Sequence, residues 1–132
     1  MANGFQSTES APDTRTGYNG TASAIPEGTI VKLVAAGKYR QVAPIAAEGD
    51  VIYGVAGEEI AAYTYGLIVI RGTTPVLCSA ALTVGGRVGT DGSGAAIDWN
   101  AASSLLGVAV EVGATGVLAE VELIGPGAPP SA

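Results

Sequence analysis

The sequence predicts an all-β fold, a small β-barrel or β-sandwich that follows an extended N-terminal arm. Short segments rich in Val, Ile and Leu recur about every ten residues between turns that contain Gly or Pro, a spacing typical of barrels and sandwiches. No stretch combines a helix cap with the 3.6-residue period of an amphipathic helix. The chain has 132 residues, of which 48% are hydrophobic and only 5% aromatic. Small aliphatic side chains must therefore form its core.

The first 26 residues differ from the rest of the chain. They are rich in Ser, Thr, Asn, Gly and Ala, and Phe5, Tyr18 and Ile25 are their isolated large apolar side chains. Neither a two-residue nor a 3.6-residue period is present, so this segment cannot fold alone. Two interpretations stay open, a disordered tail or an arm that becomes ordered on a neighbouring molecule. The predicted organisation is an arm at 1–26, a β-barrel or sandwich domain at 27–125 and a flexible tail at 126–132.

The strands follow from the apolar and β-branched segments after residue 27. Three pairs are separated by short turns and predict antiparallel hairpins: 28–34 with 37–43, 87–91 with 95–99, and 105–112 with 116–124. In the last segment Val117, Ala119, Val121 and Leu123 alternate with Glu120 and Glu122, the pattern of a half-buried strand. The segment 66–72, "GLIVIRG", is apolar on both faces, which predicts a strand covered on both sides. Further strands are predicted at 51–57, 59–65 and 76–82.

Charge and hydropathy exclude several classes of partner. The net charge is −6 and the six basic residues are scattered, so we expect no direct binding to nucleic acid, which needs clustered Lys and Arg. No apolar run approaches the roughly 20 residues of a membrane-spanning helix. The N-terminus lacks the basic and apolar regions of a secretory signal. Charged residues make up 14% of the chain, which favours a surface that is partly covered by other protein.

Residues that could perform chemistry are few. The chain has no histidine and a single cysteine, which excludes zinc fingers, Ser-His-Asp triads and Cys-His pairs. Cys78 lies in an apolar run and is interpreted as a small core residue. Glu120 and Glu122 lie on one strand face, which is the ordinary state of a solvent-exposed face. We therefore predict that the protein is not an enzyme and has no cofactor and no catalytic or metal-binding residues.

The segment 84–98, "VGGRVGTDGSGAAID", is the strongest candidate for a ligand loop. It lacks the lysine of a P-loop, the helix of a dinucleotide-binding motif and the acidic ladder of an EF-hand. Asp91-Gly92 instead favours a tight turn between two strands. We interpret the segment as a hairpin that Trp99 anchors on the rest of the domain.

Taken in order, four segments resemble one protein family. These are "GVAGEE" at 54–59, "GLIVIRGTTPVL" at 66–77, "GGRVGTDGSG" at 85–94 and "GVAVEV" at 107–112. Over about three quarters of its length the chain resembles the small phage capsid cement, or head decoration, proteins.

The resemblance implies a β-barrel-like fold and a role in the virion. Its expected partners are the major capsid protein and other copies of the chain in a homotrimer. The expected position is the outer surface of the capsid, at threefold and quasi-threefold positions, where the protein stabilises the shell and its N-terminal arm reaches across neighbouring subunits. The candidate residues for contact with the capsid are Phe5, Arg15, Tyr18 and Ile25.

Two other functions stay open on the sequence. The first alternative is a surface-displayed module that binds host glycans by stacking on aromatic side chains. Its candidate residues are Tyr39, Tyr53, Tyr63, Tyr65 and Trp99. The second is a hydrolase that depends on Glu120 or Asp98.

Overall fold

A computed structural model describes residues 12–35 and 37–126, and all regular secondary structure within them is β. The predicted all-β class is confirmed. The nine strands are β1 (Asp13–Asn19), β2 (Ile30–Leu33), β3 (Gln41–Pro44), β4 (Gly54–Ala56), β5 (Tyr65–Leu77), β6 (Arg87–Thr90), β7 (Ala96–Asp98), β8 (Leu105–Ala109) and β9 (Leu118–Leu123).

Five of these strands close a small barrel. Hydrogen-bonded neighbours run in the order β1-β3-β2-β4-β5, and β5 also pairs with β1. The β1–β3 pair is parallel, with Tyr18 opposite Gln41, whereas the β1–β5 pair is antiparallel, with Tyr18 opposite Tyr65. Because β1 bonds on both sides, the barrel has no free edge at this point.

The remaining strands extend β5 into a second, curved sheet in the order β5-β9-β8-β6-β7. The first half of β5 pairs with β1 and β4, and its second half, from Gly72 onward, pairs with β9. Gly72 has a φ of 92° at this change of partner, a conformation that glycine adopts without a Cβ clash. The far strand β7 returns toward the end of β5 through a parallel bridge between Ala96 and Cys78.

The wall formed by β2, β4 and β5 is buried on both faces at its centre. One face lines the inside of the barrel with Val31, Ala56 and Ile68, and the opposite face contributes to a second core, shared with the curved sheet. The side chains that this wall gives to the second core are Ile30, Val55, Val69 and Val76. The prediction that 66–72 is covered on both sides is therefore confirmed only at its centre, since Val69 and its neighbour Ile68 belong to different cores, whereas Leu67 and Arg71 are exposed.

The strand β5 continues through Pro75, where the sequence predicted a break between 66–72 and 76–82. The Leu77 amide donates to Gly28 O, on the edge of β5 opposite β9. Alternate residues of a strand direct their N–H groups to the same edge, so the Pro75 nitrogen also faces away from β9. Its missing N–H thus interrupts no hydrogen bond of the β5–β9 ladder.

The three predicted hairpins are present as the antiparallel pairs β2–β3, β6–β7 and β8–β9. The predicted strand at 59–65 is wrong. Only Ile60 makes a bridge, to Ile25, and the chain then turns before β5 begins at Tyr65. Tyr63 has a φ of 59°, which is incompatible with a strand.

The N-terminal segment also differs from its sequence interpretation, because residues 13–19 form β1 inside the barrel rather than part of an arm. Gly17 and Asn19 are buried there and alternate with more exposed neighbours. Gly17 lies so close to Ile68 that a Cβ would collide with its side chain at 2.7 Å. Glycine and asparagine at inward positions conceal the two-residue hydrophobic period, which is why the strand was missed. Residues 1–11 lie outside the described part of the chain.

Two N-terminal deletions test the role of β1. Deleting residues 1–26 removes β1 and uncovers Ile68 and Val42, so we expect the free energy of unfolding to fall by more than about 3 kcal/mol. Deleting residues 1–11 removes no residue of β1 and is expected to change it by less than about 0.5 kcal/mol. Urea unfolding followed by circular dichroism measures both. Equal stability of the two truncated proteins would show that β1 is not an integral strand.

Candidate functional site

One end of the barrel carries a cluster of exposed aromatic and cationic side chains. We call Tyr18, Lys38, Tyr39, Arg40 and Tyr65 the aromatic–cation patch. The rings of Tyr18 and Tyr65 pack with centroids 4.9 Å apart and an interplanar angle of 52°, within the usual range for tilted aromatic pairs. Tyr65 is 59% exposed and Tyr39 is 77% exposed. Large aromatic side chains at such exposure are typical of contact surfaces.

Two cations of the patch lie over aromatic rings. Lys38 Nζ is 4.9 Å from the centroid of Tyr18, and Arg40 Cζ is 4.9 Å from the centroid of Tyr39. Both distances suit a cation–π interaction. Within the described residues neither cation forms an ion pair, whereas Arg15 pairs with Asp13 at 2.8 Å and Lys32 with Asp50 at 3.2 Å. The patch therefore presents two positive charges that no carboxylate of the described chain neutralises.

A tight turn places the three consecutive residues Lys38, Tyr39 and Arg40 beside β1. The Gln41 amide donates to Lys38 O at 2.9 Å, and Gln41 Oε1 accepts from the Lys38 amide at 2.8 Å. The Tyr18 amide then donates to Arg40 O at 2.9 Å. The turn is thus fixed from both ends, which sets where its cations lie relative to Tyr18.

Asn19 is a buried polar residue that joins the turn at 21–23 to the turn at 60–64, which leads into β5. Its side-chain amide donates to Ser23 O, Ile60 O and Ala61 O at 2.9 to 3.2 Å, and its Oδ1 accepts from the amide and the hydroxyl of Thr21. Its backbone amide donates to Thr64 O at 2.8 Å. Asn19 consequently holds the turn that leads into Tyr65 while its neighbour Tyr18 faces the patch.

Two non-glycine residues within the described chain have a positive φ. One lies in the turn that precedes β3 and the other in the turn that leads into β5. Arg40 has a φ of 54° and Tyr63 a φ of 59°. Such a conformation costs about 1 kcal/mol or more for a residue with a Cβ. Strain of this kind is concentrated at functional sites more often than elsewhere, and here Arg40 belongs to the patch and Tyr63 lies two residues before Tyr65.

A separate apolar groove of about 320 Å³ is lined by Leu33, Val51, Ile52, Tyr53 and Pro126. Leu33 and Val51 are about half exposed, and Tyr53 packs on the barrel core. None of these lining residues, all from the described part of the chain, is charged, so the groove offers mainly apolar contact.

The Gly-rich hairpin is confirmed as a turn whose carboxylate is fully occupied. Asp91 accepts hydrogen bonds from the amides of Ser93 and Ala95 and from the Ser79 hydroxyl, at 2.8 to 2.9 Å. Burial alone would raise the pKa of the Asp91 carboxyl, but these hydrogen bonds outweigh it and hold the pKa below its ordinary value. At the end of the hairpin Trp99 is half-buried, with Arg87 Cζ 5.4 Å from its ring centroid. Asp91 therefore closes the turn and is not directed at a ligand.

The structure separates the four residues that were candidates for capsid contact. Phe5 lies outside the described residues. Arg15 is on β1, paired with Asp13, and Tyr18 belongs to the aromatic–cation patch. Ile25 is only 1% exposed and packs inside the barrel, so its side chain cannot contact another protein in the folded state. Contacts of the other three residues with a capsid stay a prediction.

The residues considered for hydrolysis do not form a site. Asp98 is on β7 and Glu120 is on β9, with β6 and β8 between these strands in the sheet. Cys78 is buried in the core, and this burial raises the pKa of its thiol. In the described part of the chain no group of three or more acidic, cysteine or histidine side chains is placed to hold a metal ion. Nor does residue range 12–35 or 37–126 contain a helix long and apolar enough to cross a membrane.

The aromatic residues proposed for glycan stacking are dispersed. Tyr39 and Tyr65 are in the patch, whereas Tyr53 lines the groove and Trp99 is on the curved sheet. Sequence reasoning missed Lys38, Arg40 and Asn19. The triplet "KYR" at 38–40, which has a cation on each side of an exposed tyrosine, was the one local signal for the patch.

Comparisons with known proteins show similarity at the level of structure. No family model matches the sequence, and no curated protein matches it. Among solved structures the chain is similar to the head fiber gp8.5 N base of bacteriophage phi29, with a TM-score of 0.66 and 16% identity. The similarity covers 84% of this chain and 94% of that chain. The two proteins therefore share a fold over almost the whole described region.

Replacing Asn19 tests whether it holds the patch together. Asn19→Ala removes five hydrogen bonds of this buried side chain, including those to Ile60 O and Ala61 O, so we expect a loss of about 1–3 kcal/mol in the free energy of unfolding. Faster hydrogen exchange at residues 61–65 should accompany the loss. Thr16→Ala, at an exposed position of the same strand, is the control. A change below about 0.5 kcal/mol, with exchange as in the wild type, would contradict this role.

Replacing Asp91 tests the role of its carboxylate through pH. A carboxyl whose pKa is lower in the folded state stabilises the fold above its ordinary pKa of 3.8. That contribution is lost as the pH falls through the folded-state pKa. Asp91→Asn should therefore be less stable than the wild type near neutral pH, and the difference should shrink in acid. Urea unfolding at a series of pH values measures it, with Asp98→Asn as the control. A difference that stays constant with pH would contradict the assignment.

Proposed function

We propose that this chain is a phage capsid decoration, or cement, protein that binds the outer surface of the head and stabilises the shell. The observation that carries the proposal is the fold shared with a phage head fiber base over 84% of the chain. The resemblance of four sequence segments to capsid cement proteins supports a role at the phage head independently of the fold.

The surface of the barrel fits a protein that works by association. An exposed aromatic–cation patch and an apolar groove both offer contact area, while the side chains considered for catalysis are dispersed or buried. Each copy would bind the shell with modest affinity, but many copies that also touch one another would be attached tightly. In this proposal the chain is a homotrimer whose partner is the major capsid protein, at threefold and quasi-threefold positions.

The N-terminus has a narrower role in this proposal than the sequence suggested. Residues 13–19 are needed to close the barrel, so only the residues before β1 can extend toward a neighbouring subunit without opening it. Phe5 is the single aromatic residue in that stretch. The stabilisation of the shell would then combine the barrel surface with this short extension.

Heads from a mutant phage that lacks this chain provide the test. Adding the purified protein should restore density on the outer surface at threefold and quasi-threefold positions in electron cryomicroscopy. It should also raise the temperature at which the heads release DNA, because a ligand that binds only the intact shell stabilises it, by about 2.7 kcal/mol per site at a hundredfold excess over Kd. Heads incubated with an unrelated acidic protein are the control. Density inside the shell or at the tail, or an unchanged release temperature, would refute the proposal.

A further inference from the structure

We infer that the aromatic–cation patch is the surface through which this chain binds its protein partner, and that the partner's matching surface bears carboxylates. The inference rests on the proposed function for the identity of the partner. Its physical basis is the local charge, the exposed rings and the fixed geometry of the patch.

The charges of the patch differ from those of the whole chain. The net charge is −6, yet Lys38 and Arg40 lie in one turn and have no ion-pair partner among the described residues. The carboxylate of Glu58, in the loop between β4 and β5, accepts a hydrogen bond from the Leu67 amide at 3.1 Å. An approaching carboxylate would thus meet two cations, while the acidic remainder of the surface would repel it. Complementary charge of this kind orients a partner and increases its rate of association.

The patch is also preorganised for contact. Lys38 and Arg40 rest on tyrosine rings, which limits the side-chain freedom that binding would otherwise remove. The backbone beneath them is held by Gln41 and Tyr18. The exposed ring of Tyr39 adds apolar area beside each charge, and Tyr and Arg are the residue types most enriched in the energetic centres of protein interfaces.

Other occupants fit the patch less well. A sugar stacks on a bare ring face, and a cation already covers one face of Tyr18 and of Tyr39. A nucleic acid needs a longer row of cations than two adjacent side chains. An acidic protein surface uses both features that are present, ion pairs to Lys38 and Arg40 and apolar contact with the tyrosines.

Charge reversal at the patch is the test, in the full-length protein. The variant Lys38→Glu/Arg40→Glu and the control Arg71→Glu/Arg87→Glu each replace two cations by two carboxylates. Each replacement lowers the charge by 2, so both variants have a net charge of −10 instead of −6. Binding to phage heads that lack this chain is measured by cosedimentation at low and high ionic strength, about 0.01 M and about 1 M, where the screening lengths are about 30 Å and 3 Å. Thermal unfolding is used to check that both variants fold. A second variant, Lys38→Gln/Arg40→Gln, removes the two charges without reversing them.

We expect the patch reversal to weaken binding at least about a hundredfold at low ionic strength, the neutral variant about tenfold, and the control far less. Wild-type binding should weaken as ionic strength rises. Three results would each overturn the inference and leave the proposed function standing. These are binding that neither reversal changes from that of the wild type, an equal loss of binding in both reversals, and a loss of binding in the patch reversal that is independent of ionic strength. A patch reversal that changes only self-association would show that the patch binds a second copy, and would overturn it too. If the wild type binds no heads at either ionic strength, the proposed function itself fails.

Discussion

The fold depends on one wall of strands whose centre is buried on both faces. The strands β2, β4 and β5 place Ile68 and Val31 in the barrel core and Val69, Val55 and Ile30 in the core shared with the curved sheet. Each such side chain contributes about 1.5–3 kcal/mol when it is fully buried. The barrel covers one face of this wall and the curved sheet covers the other, so removing either part would expose apolar side chains of the wall. The two parts therefore form one cooperative unit, which also positions the loops at the end of the barrel.

Much of the fold could be predicted because burial leaves a regular pattern in the sequence. The hairpins β2–β3, β6–β7 and β8–β9 are marked by apolar strands on either side of a short turn, and "GLIVIRG" shows a double-sided strand directly. Two features escaped prediction for local reasons. In β1 the inward positions are Gly17 and Asn19, which give no apolar signal. In β5, Pro75 resembles a break unless it is known that its nitrogen faces away from β9.

The candidate site was less predictable than the fold, because it forms from parts that are distant in sequence. Tyr18 meets Tyr65 across an antiparallel pair and meets Lys38 beside a parallel one. A parallel pairing between the first and third strands cannot be read from periodicity, since it depends on closure of the whole barrel. The assignment of Ile25 to a contact surface failed for the same reason, as its bridge to Ile60 buries it.

The position of β1 in the chain has a consequence for biosynthesis. This strand is translated before the other eight strands, whereas its antiparallel partner begins at residue 65 and its parallel partner at residue 41. Tyr18 and Asn19 therefore precede Tyr65 by about fifty residues, a delay of several seconds at about 5–20 residues per second. Until then the Asn19 side chain can bond only to its neighbours Thr21 and Ser23. The closing ladder forms only through contacts of long sequence separation, which are slow to establish. The β1–β5 pairing that closes the barrel therefore forms only after β5 has been translated. The turns of the aromatic–cation patch take their final geometry in that step.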